Sequence, residues 1–207
     1  MDLIEKINYL KQYPLSDKQM EELTGQKMLY YSELHQYDTL EHLLYMNNDS
    51  VVIMYHQNPT YGHYCCISQL TEKTKWNRAK FKKNEVGLVE FFDPYGLFPD
   101  KQLKFIDYEA SAALKQQHTY LSYLMYHSPY KLSFNEHQFQ APSFGSKGGV
   151  QTCGFHCAYR ILKRGQLLPE YKKELDSNVK YLKKLGIKNA NYDDFVVIML
   201  FDRVFKP

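Results

Sequence analysis

A cysteine set between a glycine-containing loop and an apolar helix constrains this chain more than any other stretch. In Gln151-Thr152-Cys153-Gly154-Phe155-His156-Cys157-Ala158-Tyr159-Arg160-Ile161-Leu162, apolar residues recur at helical spacing after Cys153. Gly145, Gly148 and Gly149 in front of it are loop residues with access to positive φ. The pattern predicts a helix that opens at Cys153 and runs to about Arg164. A thiol at such a helix mouth faces unpaired N–H groups and the positive end of the macrodipole, a setting that favours thiolate. A nucleophilic cysteine needs a histidine and an acid from elsewhere in the chain.

The rest of the chain supplies the frame. Apolar spacing predicts a helix over 2–12, ended by Pro14. Ser16 and Gln19 have capping-box spacing, with a helix to about Leu23 and a stop near Gly25. Met28–Tyr31 is a short apolar run, and Asp38 reads as the cap of a further helix. Val51–Tyr55, His63–Ser68 and Val86–Phe92 read as strands, with Asn58–Gly62 as a loop and Asp93–Gly96 as a turn. Helical segments between about 107 and 126, a strand at 131–135, a basic helix from Pro169 to Leu185 and an apolar tail helix from Asp193 to Phe201 complete the pattern. This predicts one α+β domain over 1–207: a small mixed, mainly antiparallel sheet flanked by helices. A mainly helical lead-in covers 1–48 and the core 49–207.

Composition narrows the function classes. A net charge of +3 does not demand a polyanion partner. The 4 cysteines are two adjacent residues and two on one helix, so no disulfide framework is expected and a reducing compartment is favoured. No apolar run reaches membrane-spanning length and the acidic N-terminus has no signal-peptide core, so no membrane association is expected. Cys65, Cys66, Cys157 and His156 lack the paired spacing of zinc ligands, and adjacent strand residues point to opposite faces. No metal and no cofactor is expected.

The chemistry comes from residues far apart in sequence. His63 follows a glycine and opens a strand, and Asp93 lies just past the end of the next. Two adjacent antiparallel strands can bring those positions together, where the helix mouth presents Cys153. Cys153 then attacks, His63 carries the proton, and Asp93 orients the imidazole and stabilises its cation. A glutamine upstream of the cysteine can complete an oxyanion hole with the Cys153 N–H. His156, on a neighbouring helical face, reads as packing beside the site, and Glu90 is the alternative acid.

The order His, Asp, Gln, Cys-Gly resembles the adenain-like and SUMO-protease-like (Ulp-type) clan of cysteine proteases. Within it the resemblance is greatest to maturation proteases of virophages, Maverick/Polinton elements and giant DNA viruses. It is carried by Asn58-Pro59-Thr60-Tyr61-Gly62-His63-Tyr64, Phe91-Phe92-Asp93-Pro94-Tyr95-Gly96, Asn135-Glu136-His137-Gln138-Phe139-Gln140 and Cys153-Gly154-Phe155-His156-Cys157. It implies a papain-like-clan adenain fold, a catalytic Cys153, His63 and Asp93, and Tyr64 and Gly154 as substrate-binding positions. The family usually has Trp where this chain has Tyr64. Its Asn-x-x-Gln-x-Gln pattern points to Gln140 as the oxyanion donor, with Ser143 to Val150 as a loop insertion. Gln138 is the alternative, and Gln151 lies too close to the cysteine.

The function the resemblance implies is a monomeric cysteine endopeptidase that cleaves capsid or other virion precursors, in the virion and in the host cytoplasm or viral factory. The implied substrates have a small residue, commonly Gly, beside the scissile bond. Two other readings stay open: a protease of SUMO- or ubiquitin-like conjugates, and a non-catalytic capsid- or nucleic-acid-binding protein. The run Lys73–Lys83 around Trp76 reads as a solvated basic hairpin or a surface for DNA. The resemblance also raises DNA or a viral peptide as activator.

Overall fold

The apolar run beginning at Val51 forms the second strand of a five-stranded sheet with order β1-β2-β3-β4-β5. A computed structural model describes residues 3–70, 87–142 and 149–205. The strands are β1 (Met28–Tyr30), β2 (Ser50–Asn58), β3 (Tyr61–Gln69), β4 (Leu88–Phe92) and β5 (Lys131–Phe134). The inner pairings, β2 with β3 and β3 with β4, are antiparallel, whereas β1 and β5 join the two edges in parallel. The architecture is α+β, with helices on both faces of a mixed sheet. The basic run Lys73–Lys83 lies outside the described residues.

Alternation along the strands sorts the core into two clusters. Val51, Ile53, Cys65, Ile67 and Phe91 pack with α3 (Leu40–Met46) and α5 (Tyr120–Tyr126). Val52, Tyr64, Cys66 and Phe92 pack on the opposite side. There they meet α6 (Cys153–Leu162), α7 (Leu168–Lys184) and α8 (Tyr192–Val204). Cys65 and Cys66 thus go to different faces, as strand periodicity requires.

The N-terminal helices α1 (Leu3–Lys11) and α2 (Asp17–Thr24) belong to the same cluster as α6, through Ile7, Leu10, Met20 and Leu23, with Leu15 from the link between them. The lead-in is therefore part of the core that carries Cys153. Ser16 caps α2 through the expected reciprocal bonds with Gln19, and Gly25 ends it in the left-handed region at φ 65°. A short α4 (Tyr108–Ala113) precedes α5.

Three local expectations change. The α3 cap is Thr39 rather than Asp38; its hydroxyl accepts from the His42 N–H. The run at 28–31 supplies the edge strand β1, which its three residues are too few to signal by periodicity. The loop before His63 shrinks to Pro59 and Thr60, because β3 already begins at Tyr61 and pairs Gly62 with His56 and His63 with Tyr55. Gly62 is needed there: a Cβ at this position would overlap the Tyr55 carbonyl and sit 2.7 Å from Met54 Sδ.

Candidate active site

Helix α6 is buried from Gly154 to Ile161, on all sides rather than along one stripe. Such a helix is enclosed by protein. Its packing is close where it opens: a Cβ on Gly154 would lie 3.1 Å from Met20 Sδ and 3.2 Å from Leu15 Cβ. Glycine there lets α2 press against the first turn. Arg160, near the other end, is buried too, and its guanidinium grips Glu90 with bonds of 2.6 and 2.8 Å. That commitment removes Glu90 as an alternative to Asp93.

Cys153, partly exposed, stands at the mouth of α6 beside a cleft of about 310 Å³. The cleft is lined by Gln140, Gly149, Gln151 and Gly154 together with Gly62, His63, Tyr64 and Tyr95. Pro14 and Leu15 close it from the N-terminal segment.

His63 is 3% exposed, and its Nε2 lies 3.0 Å from Asp93 Oδ1. With Nε2 engaged there, Nδ1 is the nitrogen left to face Cys153, which lines the same cleft and interacts electrostatically with the ring. Tyr95 stacks on the imidazole at 4.6 Å between centroids and 15° between planes. Burial opposes the imidazolium, but the Asp93 charge and hydrogen bond, with the Cys153 contact added, outweigh it and raise the His63 pKa from 6.5 to about 10.

Asp93 is itself held from every side. Its Oδ1 accepts from the Tyr95 N–H at 2.7 Å and its Oδ2 from Gln102 Nε2 at 3.1 Å. Asn135 accepts from the Asp93 N–H at 2.8 Å and donates to the Asp93 carbonyl at 2.5 Å. A carboxylate so fixed has one orientation to offer the imidazole. Tyr95 and Asn135 lie in the quoted motifs but were not assigned roles from sequence. Gln102 has no sequence signal.

Gln140 is buried and reaches the cleft wall. Its Nε2 donates to the Val150 carbonyl at 3.0 Å and to the Tyr95 hydroxyl at 3.3 Å, and its Oε1 has no partner among the described residues. Gln138 instead donates to the Gln140 carbonyl at 2.8 Å and does not line the cleft. Gln151 also lines it, with its backbone N–H on the Lys11 carbonyl at 2.6 Å. Tyr64 lines the cleft with its hydroxyl committed to Asp17 at 2.8 Å and the Leu15 carbonyl at 3.2 Å, which ties the N-terminal wall to the strand carrying His63.

The other thiols and His156 stand apart from this cleft. Burial pushes the Cys65 and Cys157 thiols up, away from thiolate. His156 is fully buried and its Nε2 lies 3.0 Å from Asp193 Oδ1. Among the described residues no cluster of three metal-ligating side chains forms, and no helix is long and apolar enough to cross a membrane.

No family model matches the chain. Over 182 residues it is 29% identical to "Uncharacterized protein V9" of Sputnik virophage, an alignment that covers 87% of this chain and 93% of that protein. Most of the chain is thus similar to a protein carried by a virophage.

Proposed function

We propose that this chain is a cysteine endopeptidase that cleaves virion precursor proteins during particle maturation. One observation carries the reading: Cys153 at a helix mouth and His63 line one cleft, and the His63 Nε2 is fixed from behind by the buried Asp93 carboxylate. An imidazolium beside a thiol stabilises the thiolate form. The Cys153 sulfur attacks the scissile carbonyl carbon, and the negative charge that develops on the carbonyl oxygen is met by the N–H groups of the α6 first turn and by Gln140. The Tyr95 contact at 3.3 Å is the long one of the two that Gln140 makes, and the one an oxyanion would replace. His63 gives its proton to the departing amine, which leaves a thioester on Cys153. Water then attacks the thioester while His63 accepts its proton, and the free acid and the thiolate–imidazolium pair are restored.

The virion substrate rests on the similarity to a virophage protein together with the motif resemblance. Co-expression with the capsid precursor of the same element tests it. The wild-type chain is expected to shorten the precursor at discrete sites and the Cys153→Ala variant to leave it whole. An intact precursor in both, with cleavage of a SUMO-like or ubiquitin-like fusion by the wild type, would instead assign the enzyme to deconjugation.

A further inference from the structure

One buried carboxylate holds both segments that the proposed chemistry must keep in register. Asp193, the second residue of α8, is 1% exposed. Its Oδ2 accepts from the Ala141 N–H at 3.0 Å, directly after Gln140. Its Oδ1 accepts from the Thr152 hydroxyl and, at 3.0 Å, from His156 Nε2. Thr152 directly precedes Cys153, and His156 lies in the first turn after it. Burial works against the Asp193 charge, but the bonds from His156, Thr152 and the Ala141 N–H outweigh it and hold its carboxyl below the usual carboxylate range. It is therefore an anion at neutral pH, and charged acceptors make the stronger hydrogen bonds.

The Thr152 bond has a second effect. Thr152 occupies the N-cap position of α6, where a threonine hydroxyl ordinarily accepts from an N–H of the first turn. Here the hydroxyl is turned to Asp193 and makes no cap bond to the helix. The first-turn N–H groups stay unclaimed by the cap and available to a negative oxygen at the helix mouth.

We infer that Asp193 is a positioning residue for the oxyanion hole: it fixes Gln140 relative to Cys153 through Ala141, Thr152 and His156, and it keeps the α6 N-terminus uncapped. The inference rests on the protease reading. It assigns a role to the buried His156–Asp193 pair, which lies outside the His63–Asp93 pair and touches no substrate.

The test separates the oxyanion hole from the nucleophile. Thr152→Val removes the hydroxyl with little change of shape, and Thr152→Ser restores it. Asp193→Asn probes the carboxylate directly. Each is assayed by precursor cleavage, by affinity for a peptide aldehyde, whose thiohemiacetal places an oxygen in the hole, and by the pH dependence of Cys153 alkylation with iodoacetamide. Thr152→Val is expected to lower kcat about 10- to 100-fold, a fraction of what loss of an entire oxyanion donor costs. KM and the alkylation profile should stay near wild type, aldehyde affinity should fall in parallel with kcat, and Thr152→Ser should recover most of the loss. Wild-type kcat in Thr152→Val overturns the inference, as does a loss confined to thermal stability. A shift of the alkylation profile equal to the loss in kcat also overturns it, because the defect then lies in the Cys153–His63 pair. If Asp193→Asn does not fold, the threonine pair still decides. A wild-type chain whose Cys153 alkylates but which cleaves neither the precursor nor a SUMO-like or ubiquitin-like fusion refutes the protease reading, and this inference with it.

Discussion

Replacing Asp93 by asparagine should remove a pH dependence of stability that the wild type carries. The His63 pKa is raised in the folded chain from 6.5 to about 10. A raised folded-state value means that the folded form binds the extra proton. The stabilisation is complete below pH 6.5 and is lost as pH rises through about 10. Between pH 7 and pH 9 the folded wild type keeps a proton that the unfolded chain has largely released. At about 1.36 kcal/mol per pH unit, this group alone should lower unfolding free energy by about 2.5 kcal/mol over that interval. In Asp93→Asn the new side chain can keep its oxygen toward His63 Nε2 and the Tyr95 N–H, which both meet Oδ1, while the Gln102 amide turns over to accept from the new NH₂. The charge is gone, and burial then favours the neutral imidazole. The variant should show almost none of this loss, so the two proteins should differ by roughly the whole wild-type slope from this residue. Urea unfolding of both proteins at pH 7 and pH 9 measures the difference, and an NMR titration of the His63 ring checks its source. Equal losses in the two proteins would refute the argument that Asp93 holds the proton.

Three further outcomes follow from the site and its support. Gln140→Ala should lower kcat by about 10²-fold with KM little changed, whereas Gln151→Ala should leave kcat near wild type; steady-state cleavage of a precursor peptide distinguishes them. Iodoacetamide under native conditions should modify Cys153 alone, since Cys65, Cys66 and Cys157 are buried; mass spectrometry after digestion reads the sites, and equal labelling of Cys65 would contradict the assignment. Arg160→Met should destabilise the fold by about 3–5 kcal/mol by leaving Glu90 buried and unpaired, and adding Glu90→Leu should recover much of it in urea melts.

The parts of this molecule that were legible in sequence are those written in local spacing. Ser16 and Gln19 stand three apart and form their capping box. Val51 to Tyr55 are apolar and β-branched, and they build a buried strand. Cys153, His63 and Asp93 were each marked by a neighbouring glycine, strand or turn; the fold brings Cys153 and His63 to one cleft and sets Asp93 buried behind His63. What was not legible depends on distance. Gln102 reaches Asp93 only because a 3-10 turn at Lys101–Phe105 packs back beside β2, and no short pattern encodes that approach. Asp193 read as the start of an apolar tail helix, yet it bonds Thr152, 41 positions earlier, and Ala141, 52 positions earlier. The all-round burial of α6 was likewise hidden, because Arg160 looks like a solvent-facing residue until Glu90 is placed opposite it.

The way α1 and α8 meet has a consequence for synthesis of the chain. Lys11 pairs with Asp194 at 2.9 Å, and the Lys11 carbonyl receives the Gln151 N–H at 2.6 Å. The segments around the cleft are therefore braced by contacts between parts of the chain that leave the ribosome far apart in time. Until α8 emerges, Asp193 and Asp194 are absent, and neither Thr152 nor Lys11 has its carboxylate. Such long-range closure forms late in folding. A nascent chain bearing Cys153, His63 and Asp93 thus lacks the carboxylates that brace its cleft, and on the proposed function it stays unable to cut its neighbours on the polysome until α8 has left the ribosome.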